Sequence, residues 1–156
     1  MSSEDALATC IRCGDALRKA QQFDKVLAAA ETILAADAQS PAAAYQALQA
    51  AEQKKDIAAI VKWAGRTVDA AKSVIASSKP ADEEDVEEWT QAVDYSKQVT
   101  TRCEYSLYVA ALQSGDPNNT VALYEALAKM NPASQYIADA GARYFIALLM
   151  LKDEPK

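Results

Sequence analysis

Two groups of residues in this chain have the types and spacing to do chemistry. Cys10 and Cys13 form a C-x-x-C pair, and Asp82-Glu83-Glu84-Asp85 places four carboxylates in a row. The cysteine pair suits a redox dithiol or half of a zinc site. Zinc needs about four ligands, and the chain has no histidine and one other cysteine, Cys103. A redox dithiol of that spacing normally follows a β-strand, and no strand pattern precedes Cys10. Both cysteines therefore read as small residues on one helix face. The four acids could hold a metal or a lysine-rich peptide. At a helix start, however, carboxylates cap free N–H groups and complement the helix dipole.

Catalysis lacks its usual parts. Without histidine no side chain titrates near neutral pH in its ordinary state. Glycine occurs only at Gly14, Gly65, Gly115 and Gly141, too scattered for a phosphate-binding loop. A cysteine nucleophile has no evident partner base. A non-enzyme without cofactor or metal is the expectation.

The elements that carry these residues are helical. The 156 residues include four glycines and five prolines, alanine is abundant, and no stretch alternates apolar and polar residues. The net charge is −6 and lysine and arginine form no cluster, which argues against nucleic acid and anionic membranes as partners. No apolar run reaches the roughly 18 residues that span a bilayer. Met1-Ser2-Ser3-Glu4-Asp5 lacks the basic start of a signal peptide, so a cytoplasmic location is expected unless an export signal has been removed. Asn118-Asn119-Thr120 matches a glycosylation acceptor but reads as turn chemistry.

Helical periodicity predicts seven helices. They run from about Asp5 to Gln21, from Asp24 to the break at Asp37–Pro41, from Pro41 to Lys54, and from Ile57 to Ser77. The fifth opens at Asp82 and runs to Ser114, the sixth spans Thr120 to Met130, and the seventh runs from Ser134 to Lys152. The fifth is about 50 Å long at the helical rise per residue.

Shifting the first hairpin by 34 residues superposes it on the second. Phe23 falls on Ile57, Val26 on Ile60, Leu27 on Val61, Ala30 on Ala64 and Leu34 on Val68. The turn Gln21-Gln22 falls on Lys55-Asp56. A third unit begins near Thr101, with Gly115-Asp116 at the turn, Tyr124 in the second helix and Met130-Asn131-Pro132 at the end. About 26 residues beyond the 34-residue period separate units two and three. They lengthen two helices into an oversized antiparallel hairpin, expected to pair Trp89 with Ala71 and Val93 with Val68.

This pattern resembles the tetratricopeptide repeat family. Gly14 matches the family's small residue, Phe23 its turn aromatic, and Leu34 with Asp37 its ending. The second unit lacks the terminal proline, and Pro117 stands at the third unit's aromatic position. The long hairpin and alanine richness are similar, more weakly, to bacterial repeat proteins. The resemblance implies an all-α, right-handed superhelical stack of antiparallel helical hairpins in one domain, residues 1–156. Repeat 1 is 7–40, repeat 2 with the extended hairpin 41–100, repeat 3 101–133, and a capping helix 134–152. Small residues such as Gly14, Ala16, Ala30 and Ala64 then permit close helix approach, and Gly14→Leu is expected to overpack at a cost of about 1–3 kcal/mol.

The resemblance also implies a function. First helices of successive hairpins line a concave groove that receives a protein or peptide. By position, unit one would present Ile11, Asp15, Arg18 and Lys19, and unit two Tyr45, Gln49 and Glu52. Unit three would present Arg102, Tyr105, Val109 and Leu112. The family's carboxylate clamp for a peptide C-terminus is not expected, because of Ile11, Asp15, Gln46, Arg102 and Ser106 only Arg102 fits it. An adaptor, a dedicated chaperone for a secreted client and a purely structural self-associating domain all fit this scheme. The last helix adds a separate expectation. Tyr144 to Leu151 are all apolar and cover every face of a helix. A second copy, a further repeat, or the long hairpin folded back would cover them. A homo-oligomer would use Tyr144, Phe145, Leu148, Leu149 and Leu151.

Overall fold

The computed structural model describes residues 12–14, 16, 18–19 and 21–152. Residues 12–14, 16, 18 and 19 are helical. Six helices follow: α1 (Phe23–Ala36), α2 (Pro41–Lys54), α3 (Ile57–Ile75), α4 (Glu83–Gln113), α5 (Pro117–Met130) and α6 (Ile137–Lys152). Among the described residues there are no strands.

Local chemistry sets most boundaries. Ser40 caps α2 by accepting from the Ala43 N–H at 3.4 Å, and Pro41 supplies a pre-set φ where no donor is needed. Lys55 ends α2 in the left-handed region, φ 56°, and Asp56 then caps α3 by accepting from the Ala59 N–H at 3.0 Å. Gln21 has φ 57°, and it stands one repeat before Lys55. These are the only non-glycine residues of positive φ among the described residues. Gly115, at the third unit's turn, has no positive φ. Asp116 does the work there: it is extended, as a residue before proline must be, and accepts from the Asn118 N–H at 2.8 Å. Helix α5 consequently starts at Pro117 and not at Thr120.

The segments that end α1 and α5 share one side-chain turn. Asp37 and Asn131 are both extended, and each accepts from the backbone N–H two residues on, at 3.0 and 3.1 Å. Buried serines follow at matched places, Ser40 and Ser134. Ser134 accepts from the Tyr136 N–H at 3.4 Å and holds a turn, so α6 begins at Ile137, later than the periodicity predicts. Asn131 also donates to the buried Glu104 carboxylate at 3.0 Å, which fixes this turn against α4.

Each helix packs against its neighbours in sequence, and α2 also meets α4, α3 meets α5, and α4 meets α6. The core is continuous. It joins Leu34 of α1, Ala44, Ala47 and Leu48 of α2, Trp63, Ala64 and Val68 of α3, Cys103 and Leu107 of α4, Leu123 and Leu127 of α5, and Ala140 of α6. Alanines dominate α2 because it is crowded on several sides, and small side chains let the neighbouring backbones approach. Gly14 is buried, but an added Cβ would meet only the flexible Gln46 side chain at 3.7 Å. The first carbon of a larger residue is thus accommodated there, and the overpacking expected at Gly14 applies only beyond it.

The long hairpin of α3 and α4 forms with a different register. The Trp89 indole donates to Ser77 Oγ at 2.9 Å, six residues beyond the expected partner Ala71. Farther along, the Cys103 thiol faces Thr67. The connection after Ile75 carries the chain past the end of α3 before α4 turns back. The acids at the start of α4 also differ from expectation. Asp82 stands at the N-cap position but makes no side-chain capping bond, leaving the dipole as the favourable interaction there. Among the described residues no three Asp, Glu or Cys side chains converge on a metal-sized site.

Helices α1 and α3 are tied by ions. Glu31 pairs with Lys62 at 2.7 Å and with Arg66, and both cations lie over the Trp63 ring, 5.0 and 4.8 Å from its centroid. The hydrogen bonds from Lys62 and Arg66 hold the Glu31 carboxyl below its ordinary value of 4.5. A depressed carboxyl stabilises the fold above its unfolded pKa and loses that contribution as pH falls through its folded pKa. The Tm advantage of the native protein over Glu31→Gln should therefore be present near neutral pH and disappear in acid below about 4.5. The pair is partly solvated, so the difference should be small. An advantage that grows in acid would contradict the pairing.

Candidate functional site

Helix α4 carries two faces. Val99, Cys103, Leu107 and Ala111 point into the core. Opposite them, Tyr95, Gln98, Arg102, Tyr105, Val109 and Leu112 recur at steps of three and four, which keeps them in one row along about 25 Å of helix. Tyr95, Gln98, Arg102 and Tyr105 are exposed, and Val109 and Leu112 are half-buried. The row is bordered by α2 on one side and α6 on the other.

The α2 border brings Tyr45 beside Tyr95 and Arg102. Burial raises the Tyr95 hydroxyl above its ordinary value of 10.0, and neighbouring Tyr45 adds to the rise while Arg102 opposes it. Glu52 joins Ile57, Ile60, Ser106, Val109 and Asn119 around a cleft of about 400 Å³ where the α2–α3 and α4–α5 turns meet. Gln49 is half-buried on α2.

The α6 border is aromatic. Tyr108 and Tyr136 stack with centroids 5.0 Å apart, and Tyr105 tilts over Tyr136 at 5.7 Å and stands 6.4 Å from Tyr108. The Tyr108 hydroxyl donates to Asp139, and this bond is the first cause of the raised Tyr108 hydroxyl. Arg143 donates to the Leu112 carbonyl at 3.4 Å. The result is a packed platform from which Tyr105 projects, 53% exposed.

Of the expected groove residues, Arg102, Tyr105, Val109 and Leu112 share the α4 row, Tyr45 lies within electrostatic range of Tyr95, and Glu52 lines a cleft with Val109. Of the first-unit residues, Ile11 and Asp15 lie outside the described residues, Arg18 is half-buried and Lys19 is exposed. Tyr95, Tyr108, Tyr136 and Asp139 also belong to the surface. Tyr95 follows from the same three-and-four spacing that links Arg102 to Tyr105. Tyr136 precedes α6 in a turn, and no helical period points to it.

Cys10 lies outside the described residues, and Cys13 is exposed. Cys103 is buried against Thr67, and burial pushes its thiol from 9.0 up to about 12. At pH 8 Cys103 should resist a maleimide in the native protein and react fully in denaturant, read by peptide mapping. Rapid native labelling would show that α4 separates from α3.

Along α6, Tyr144 stacks on Tyr124 at 4.2 Å and donates to Glu125 at 3.4 Å, so its ring packs within the chain. Leu148 and Leu151 are half-buried, whereas Phe145 and Leu149 are exposed, together with Ile146 and Met150. The outward set therefore gains Ile146 and Met150 over those expected and lacks Tyr144, Leu148 and Leu151. The long hairpin does not cover this face: Phe145, Ile146, Leu149 and Met150 are exposed, and α6 makes no contact with α3. No helix is long and apolar enough to cross a membrane among the described residues.

No family model, curated protein or solved structure matches the chain.

Proposed function

We propose that this chain is a tetratricopeptide-repeat-like interaction module whose α2–α4–α6 face receives a partner polypeptide. One observation carries the reading: a row of exposed tyrosines and an arginine along α4, flanked by aromatic side chains from α2 and the α6 turn. Tyrosine and arginine are the side chains that dominate binding energy at protein interfaces. The Tyr105 ring is braced by Tyr108 and Tyr136, so little rotamer freedom is lost there when a partner binds.

The matched turns support the repeat reading behind it. Gln21 and Lys55 share one backbone conformation, and Asp37 and Asn131 share one side-chain turn. A stack of equivalent hairpins places every first helix on the same side. The face is built for binding and not for bond-making. The Tyr95 and Tyr108 hydroxyls are held above their ordinary value of 10.0, which keeps them protonated near neutral pH and suits hydrogen bonding over proton transfer.

The role is that of an adaptor or scaffold, with dedicated care of a secreted client as the second form of the same activity. Affinity purification on the native protein and on Tyr45→Ala/Tyr105→Ala separates partner from background. A polypeptide recovered by the first and lost from the second supports the face. Equal recovery of every partner by both contradicts it.

A further inference from the structure

The outward side of α6 is the most apolar exposed surface among the described residues. Phe145 is 61% exposed, Ile146 56%, Met150 54% and Leu149 46%. Together they expose on the order of 400 Å², within the size range of the largest apolar patch on a typical monomer, a patch that is often functional. The other sides of the helix are occupied: Tyr144 stacks on Tyr124, and Ala140 and Ala147 are buried.

The order of side chains along this face is informative. Ala138, Ala142, Phe145 and Leu149 follow one another at steps of four, three and four, the spacing of a helix-pairing seam. All four are exposed. The N-terminal half of the seam is small and the C-terminal half is large. A two-fold interface demands that residue i meets j while j meets i. Laid antiparallel on itself, the seam satisfies this demand: Leu149 enters the space over Ala138 of the second copy, and Phe145 the space over Ala142. Ile146 and Met150 widen the contact on the same side. The seam carries no charge, and the two helix dipoles oppose. A parallel pairing would instead set large against large and small against small.

We propose that two copies of this chain associate through antiparallel α6 helices, with the two-fold axis near Arg143 and Tyr144. The contact is small and apolar, so the dimer should dissociate with a Kd on the order of 10 µM. Each copy carries a net charge of −6, so the copies repel at long range and the dimer should tighten as salt rises. This inference is independent of the groove on the opposite border of α6.

Sedimentation velocity from about 1 to 300 µM tests it, using Ala138→Glu and Leu149→Lys. Both positions are exposed, so both variants should retain the native Tm. The native chain should pass from monomer to dimer across the series, and each variant alone should remain monomeric. An equal mixture of the two variants should recover the dimer, because the carboxylate introduced by Ala138→Glu then faces the ammonium introduced by Leu149→Lys on one side while the native pair remains on the other. A native chain that stays monomeric at the highest concentration overturns the proposal and leaves the face to another protein or a following segment. So do variants that dimerise like the native chain, and so does a mixture that stays monomeric.

Discussion

Leu107→Ala should destabilise the protein by about 3 kcal/mol, the largest single-residue loss of stability among those described here. Leu107 is fully buried in α4, in the core shared by helices α1 to α6. Removing its three outer carbons loses their transfer free energy and leaves a cavity. The alanines that share this core, among them Ala47, Ala51 and Ala64, are too short to fill a void and are fixed by their own helix backbones. The site can therefore collapse only by moving whole helices. For a chain of this length the loss corresponds to a fall in Tm of about 6–12 °C. Leu107→Met keeps the volume and should cost less than about 1.5 kcal/mol. Phe145→Ser, on the exposed side of α6, should change monomer stability by about 0.5 kcal/mol or less. Equal losses at Leu107 and Phe145 would mean that α4 does not occupy the centre of the stack.

The second large effect is on binding. Tyr45→Ala combined with Tyr105→Ala should weaken a groove partner by about 30- to 1000-fold, about 1–2 kcal/mol for each ring. The two positions are equivalent by repeat, one on α2 and one on α4. Each ring is anchored by neighbours: Tyr45 is partly buried against the core, and Tyr105 packs on Tyr136 and Tyr108. An anchored ring offers contact area without an ordering cost at the moment of binding, which is why truncation costs more than its area alone. Titration calorimetry on an isolated partner gives the loss, and thermal unfolding gives the control. Tyr105 is more than half exposed, so its truncation alone should leave Tm nearly unchanged. A large fall in Tm for Tyr105→Ala would assign the ring to the core and remove it from the face.

Much of this was readable in the residues themselves. Ser40-Pro41 and Lys55-Asp56 mark α2 to the residue, because a cap, a first-turn proline and a left-handed stop each leave a local signature. The start of α5 was harder to read. Pro117 looks like turn chemistry beside Gly115 and Asn118, yet it stands at the one helix position where a missing N–H costs nothing. The hairpin register also escaped the sequence. Apolar stripes on α3 and α4 fix which faces meet, but sliding one helix along the other by whole turns preserves those faces. The short connection between them, residues 76–82, decides the slide, and it is exposed except for a half-buried Pro80, so no apolar pattern marks its path.

The candidate face divides in the same way. Tyr45 and Tyr105 emerge from a repeat shift because both units keep the position. Tyr95 lies in the inserted stretch and Tyr136 in a turn, so neither has a counterpart to reveal it. On α6 the apolar run of eight shows that some apolar side chains must stay uncovered, without showing which. Only the stacking of Tyr144 on Tyr124 selects the outward set.

The claim on which the functional reading rests is that a polypeptide lies along α4 between α2 and α6. Site-specific photo-crosslinking in the living cell tests it most directly, with a photoreactive residue at Gln98 in the row or at Thr32 on the exposed side of α1. The account predicts a discrete covalent adduct from position 98 that is lost in the Tyr45→Ala/Tyr105→Ala background, and none from position 32. Adducts from position 32 with none from position 98 would contradict it.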